Sequence, residues 1–177
     1  MKHFIYIILL GVLASQCRHK EENFNTIFPG KPEVPTSVIK EHENLLHQIE
    51  TITLWQDSTG LVAKKLRDMM RHHFREEEEY VLPPLGLLPL LASGELPTES
   101  KDIIRLTEKL KSQLAHMSAE HQLIIAYMKE LKQFAPAKNL SEIVQFEKEL
   151  QEHARLEEEF YFPTAILIGE YLKLKSK

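Results

Sequence analysis

Two short stretches hold the residues best able to do chemistry: HFREEEEYVLP at 73–83 and HARLEEEFYFP at 153–163. Each sets a His four residues ahead of a Glu, then large apolar residues and a Pro. Residues i and i+4 share one face of a helix, so His73 would lie beside Glu77 and His153 beside Glu157. A shorter pattern also recurs: Glu41-His42 precedes Leu45-Leu46, and Glu120-His121 precedes Ile124-Ile125. Burying four imidazoles and two carboxylates among apolar residues is costly unless something pairs them. Metal ions do this. Glu–His pairs without metal leave further polar atoms to satisfy. Six ligands suit two ions, and if both carboxylates bridge, each ion keeps an open position. Nitrogen and carboxylate donors without thiolate suit iron, and also manganese or zinc. The candidate ligands are His42, His73, Glu77, His121, His153 and Glu157.

The elements that must position them follow from periodicity at about 100° per residue. Helices are expected over 37–55, 58–82, 100–134 and from 141 to the Pro at 163, with TAILIGEYLKLK continuing the last or fraying. Their inward stripes centre on His42, His73, His121 and His153, with Leu114 in the third and Leu156 and Phe160 in the fourth. Ser141-Glu142 is a candidate cap for the fourth helix. The fold class is all-α, an antiparallel four-helix bundle made of two pseudo-repeated αα-hairpins. The apolar connection 83–99 is expected to cap one end of the bundle or to cover a channel into it.

The acid runs sort by the same projection. Glu76 and Glu77 both flank His73, but the position matching Glu76 in the second half is Leu156, so symmetry selects Glu77 and Glu157. Glu76, Glu78, Glu79, Glu158 and Glu159 are then solvated or stand behind the ligands, as Glu149 could one turn before His153. His47, His72 and His116 project to the surface. Tyr80 and Phe160 read as core, with the Tyr80 hydroxyl able to aim at the ligands.

The ordered set Glu41-His42, HFREE at 73–77, Glu120-His121 and HARLEE at 153–158 resembles the hemerythrin-like (HHE, cation-binding) domain over roughly residues 36–170. The resemblance implies an up-down-up-down bundle around a non-haem di-iron centre, with His42, His73, Glu77, His121, His153 and Glu157 as iron ligands. The resemblance implies binding or reduction of a diatomic ligand, O₂ or NO, with an electron donor that the sequence does not name. Oxygen-carrying hemerythrins have a fifth His on helix three. Counting four residues from His121, this chain has Ile125 on one side and Met117 on the other. The four-His, two-Glu set is closest to the repair-of-iron-centres branch. A non-catalytic iron-binding, delivery or repair module is the alternative reading, and a metal-free interaction lipoprotein the third.

The 177-residue chain is 43% hydrophobic with a net charge of −4, which excludes the basic footprint of a nucleic-acid binder. Its first residues, MKHFIYIILLGVLASQC, form an apolar run too short to span a bilayer. Residues 1–16 read as a signal peptide. Cys17, the only Cys, resembles the lipid acceptor of bacterial lipoproteins. Residues 17–35 hold three Pro and no helical stripe, and read as a tether. The domain is then 36–177, lipid-anchored in the cell envelope, or cytoplasmic if the signal is not used.

Overall fold

The structure, a computed structural model, describes residues 32–176. The expected signal, the lipidation site Cys17 and most of the tether lie outside the described residues. The described residues form a helical bundle. Helix α1 spans Thr36–Thr53, α2 Ser58–Glu76, α3 Leu88–Ala92, α4 Ser100–Phe134, α5 Leu140–Leu156 and α6 Phe162–Lys175. α1 packs on α2 and α5, and α4 packs on α2, α5 and α6.

The boundaries have local causes. Asp57 caps α2 by accepting the Gly60 N–H at 3.1 Å. Gly60 is needed in this turn, because a Cβ there would lie 1.9 Å from the Trp55 carbonyl oxygen. The expected Ser141 cap does not form. α5 starts one residue earlier, at Leu140, after a 3₁₀ turn over Ala137–Asn139. α4 leans closely on α6 at Gly169, where an added Cβ would meet Thr107 Oγ1 at 1.9 Å.

Neither α2 nor α5 continues as a regular α-helix. Each passes into one π-helical turn, Glu77–Val81 in the first half and Glu157–Tyr161 in the second. In the first, the Leu82 N–H bonds to the Glu77 carbonyl at 2.9 Å, five residues back. Both turns start at a candidate Glu ligand and end just before a Pro, which cannot donate to the ladder. Such turns frequently occur at functional sites. After the first, a 3₁₀ helix begins at Pro83. After the second it continues as α6, with Pro163 in the first turn.

One core expectation fails in the second half only. Phe160 is 53% exposed rather than core. Phe162, two residues on, takes the inward place. Tyr80, at the equivalent position, stays buried with its hydroxyl donating to Glu76 Oε2 at 3.2 Å and lying 3.3 Å from Met117 Sδ. Leu114 also faces outward, into an apolar groove between α4 and α6, and Leu156 is only half-buried. The 83–99 connection forms a 3₁₀ helix, Pro83–Leu87, and then α3. Leu85 and Leu87 join the apolar cluster at one end of the bundle, so the segment caps it.

There are two apolar clusters. One contains Leu45, Ile49, Leu66, Met70, Phe74, Ile124, Met128, Phe146 and Leu150. The other contains Val38, Tyr80, Leu110, Met117, Phe162, Ala165 and Leu172. Every long helical stretch crosses between them once, and at each crossing stands one buried His.

Candidate metal centre

The buried layer between the clusters is built from those four crossings. α1 supplies His42, α2 with its π-turn supplies His73 and Glu77, α4 supplies His121, and α5 with its π-turn supplies His153 and Glu157. The structure brings all six together. Glu77 and Glu157 have no exposed surface. His42, Glu77, His153 and Glu157 form one quartet whose possible ligand atoms lie within 4.8 Å of each other, and His73, Glu77, His121 and Glu157 form another. Both quartets contain the same two carboxylates.

The imidazoles share one orientation. His73 Nε2 lies 3.2 Å from Glu77 Oε1, His121 Nε2 3.3 Å from Glu157 Oε2, and His153 Nε2 2.8 Å from Glu157 Oε1. His42 Nε2 lies 3.6 Å from Glu77 and 3.7 Å from Glu157. None of these approaches has hydrogen-bond alignment. All four Nε2 atoms and all four carboxylate oxygens of Glu77 and Glu157 are buried without a hydrogen-bond partner. Buried polar atoms are rarely left so. An orphaned set of this chemistry, nitrogen lone pairs around two acids, fits divalent cations.

The outward nitrogens explain why the Nε2 atoms face inward. His42 Nδ1–H donates to Glu78 Oε1 at 2.7 Å, His121 Nδ1–H to Glu158 Oε1 at 2.7 Å, and His73 Nδ1–H to Glu120 Oε2 at 2.8 Å. His153 Nδ1 faces Glu41 Oε1 at 3.4 Å. An ionised carboxylate only accepts, so it fixes the proton on Nδ1 and leaves the Nε2 lone pair for a metal. Aromatic rings hold two imidazoles flat: His42 stacks on Phe74 with centroids 4.0 Å apart, and His121 on Phe162 at 6.0 Å.

Helical projection did not find Glu41 and Glu120 in this role; for Glu78 and Glu158 it allowed a place behind the ligands, and there they lie. Their signal was the repetition. Glu41 and Glu120 occupy matching positions in the two halves, as do Glu78 and Glu158, and each serves a His of another helix. Glu149 stays away from the layer and accepts from Gln48 and Gln145. The Tyr80 hydroxyl turns to Glu76, not to the ligands. Glu79 and Glu159 face Lys109 and Arg155 at the surface.

The electrostatics of the layer are uneven. Burial and the adjacent Glu157 carboxylate hold the Glu77 carboxyl well above the usual range. Burial would raise Glu157 too, but the imidazoles of His121, His153 and His42 around it hold it well below. Burial would lower His153, yet the carboxylates of Glu157, Glu41 and Glu77 push it up to about 10. His121 is raised in the same way, mainly by Glu157 and Glu158 against burial.

The profile of the hemerythrin HHE cation-binding domain matches residues 36–165, most of the chain and all four crossings. The chain belongs to the hemerythrin HHE cation-binding family. No curated protein sequence matches it, and no solved structure does. In this hemerythrin domain the buried His–Glu layer has the chemistry to bind cations.

A cavity of about 190 Å³ reaches the layer between α4 and α5. His73, His121 and His153 line its polar side, and Ile124, Ile125 and Met128 its apolar side.

Proposed function

We propose that this domain holds two iron ions, one between His42 and His153 and one between His73 and His121, with Glu77 and Glu157 shared. The observation that carries this reading is the set of orphaned Nε2 and carboxylate oxygen atoms, arranged as two quartets with common acids. The helices run alternately from one apolar cluster to the other, which fits an antiparallel up-down-up-down bundle with a pseudo-twofold axis through the layer. The His₄Glu₂ set remains closest to the repair-of-iron-centres branch.

Two iron ions held here would supply redox chemistry and open coordination positions for O₂ or NO. The chain's own residues supply the rest. Glu78, Glu120 and Glu158 hold three of the imidazoles in one tautomer, and Glu41 stands beside the fourth. His153 gives up a proton from Nε2 as it becomes a ligand. Ile124, Ile125 and Met128 keep the cavity apolar, which admits a diatomic molecule and disfavours ions. Its volume is several times the roughly 30 Å³ that one water occupies in the liquid.

The test is metal analysis after anaerobic reconstitution with ferrous iron, followed by absorption spectra with and without NO. Two irons per chain and a spectrum changed by NO are expected. Fewer than one iron per chain would remove the paired centre. Two irons with no response to NO or O₂ would favour storage or delivery of iron instead.

We further propose attachment to the cell envelope through Cys17. The support is the short apolar run ending at the only Cys. Among the described residues no helix is long and apolar enough to cross a membrane, so attachment would depend on lipid. Wild-type protein is expected in the detergent-soluble membrane fraction with a modified Cys17 at its N-terminus, and Cys17→Ser is expected to lose the modification. A cytoplasmic protein with intact Met1 would overturn the assignment.

A further inference from the structure

A second His–Glu cluster lies outside the layer, on the face between α2 and α4. His72 and Glu76 come from α2, and His116 and Glu120 from α4. One ligand atom from each lies within 4.8 Å of the others. The His-x-x-x-Glu spacing of the inner layer is thus written twice more, at 72–76 and 116–120. Here the two pairs face each other across neighbouring helices.

A set of surface ion pairs is the plainer reading, and the distances argue against it. Only His116 Nε2 and Glu76 Oε2, 3.0 Å apart, are at ordinary hydrogen-bond range. His72 Nε2 and His116 Nε2 approach the same oxygen, Glu120 Oε1, at 3.5 and 3.6 Å. Apart from that one pair, the side chains converge on a common point at distances longer than a hydrogen bond, around a shared space. The side chains of His72 and His116 are 45% and 43% exposed, so a cation can reach them from solvent, whereas Glu120 is 7% exposed and forms the floor. Glu120 is fixed there because its other oxygen accepts from His73. Glu76 is held by the Tyr80 hydroxyl.

We propose that His72, Glu76, His116 and Glu120 form a separate divalent-cation site of the zinc type, distinct from the paired centre. Two imidazoles and two carboxylates are a four-coordinate set that zinc accepts, and the two acids balance its charge. One neighbour opposes binding. Arg75 Nη2 donates to His72 Nδ1 at 3.0 Å, which leaves the His72 proton on Nε2. For Nε2 to bind a cation, this exposed guanidinium must swing away and the proton must move to Nδ1.

The experiment uses the full chain loaded with iron, titrated with zinc against a chromophoric chelator, with both metals counted after desalting. One zinc per chain is expected in addition to the iron. His116→Ala and Glu76→Gln, both in exposed or half-exposed positions, are expected to weaken zinc by at least about tenfold with iron content unchanged. Arg75→Ala is expected to tighten it. The inference stands apart from the iron reading, because a preparation without iron should still lose one zinc per chain in these two variants. It is overturned if no zinc binds beyond that which displaces iron, or if zinc uptake is the same in wild type, His116→Ala and Glu76→Gln.

Discussion

Alanine at Glu77 or at Glu157 is expected to abolish the paired metal centre, reducing bound iron by at least one ion per chain. Each carboxylate belongs to both buried quartets, so losing either leaves both incomplete. The two variants should part company once metal is removed. Glu77 is a buried acid whose charge is disfavoured by burial and by Glu157, so metal-free Glu77→Ala should lose less stability than metal-free Glu157→Ala. Glu157 is the counter-charge for three imidazoles, and metal-free Glu157→Ala should melt lower. Glu78→Ala and Glu158→Ala lose only the acceptor behind a ligand. They should weaken binding by roughly 10- to 100-fold, the usual cost of such a partner. Glu79→Ala and Glu159→Ala should change nothing. Iron counted per chain, alongside denaturant melts of metal-free protein, checks the series. Equal losses in all six variants would show that the inward facing of Glu77 and Glu157 has been misassigned.

The gap in stability between loaded and metal-free protein is expected to widen as pH rises from about 6 to about 9. In the metal-free protein His153 is raised to about 10 from its usual 6.5. A raised His contributes stability that is fully present below its unfolded value and is lost as pH climbs through the folded one. Glu77, also raised, loses its contribution as pH rises above the usual carboxylate range. Glu157 is lowered, so its contribution holds above that range and goes as pH falls below it. The metal-free form should therefore be most stable in mild acid, and less so toward pH 9. The loaded form runs the other way, because a ligand His must be unprotonated and binding releases its proton. Folded-state binding adds about 4 kcal/mol at a metal concentration a thousandfold above Kd. Melts of both forms at pH 6, 7.5 and 9 test this. Parallel curves would mean that His153 releases no proton when metal binds.

The inner face of each helix was legible because ligands four residues apart repeat the turn of an α-helix, and because the two halves repeat each other. His73 with Glu77 and His153 with Glu157 could be read from one strand of letters. What lies across the gap could not. Glu78 projects away from the stripe of its own helix, yet it is 2.7 Å from His42 on the next. A helical projection gives a side chain's direction and says nothing of the neighbour that receives it. Phe160 and Leu114 failed because a projection does not supply the neighbour that would cover a side chain: both are exposed, Leu114 in the groove beside α6. The Ser141 cap failed because helix start signals fix a boundary only to within a residue or two.

The two π-turns also amount to phase slips in the apolar pattern of the chain. Above each slip the inward residues keep step with a His, and below it they keep step with the opposite apolar cluster. Deleting one residue within 158–161 would draw the π-turn toward α-helical pitch, although Pro163 would still have no N–H to donate. It would also rotate everything downstream by about 100° relative to the ligands. In the second half, that would turn Phe162, Ala165 and Ile168 out of the core and lift Gly169 off Thr107. The extra residue thus lets one continuous rod serve two frames of reference, with the metal ligands set in one and the lower core in the other.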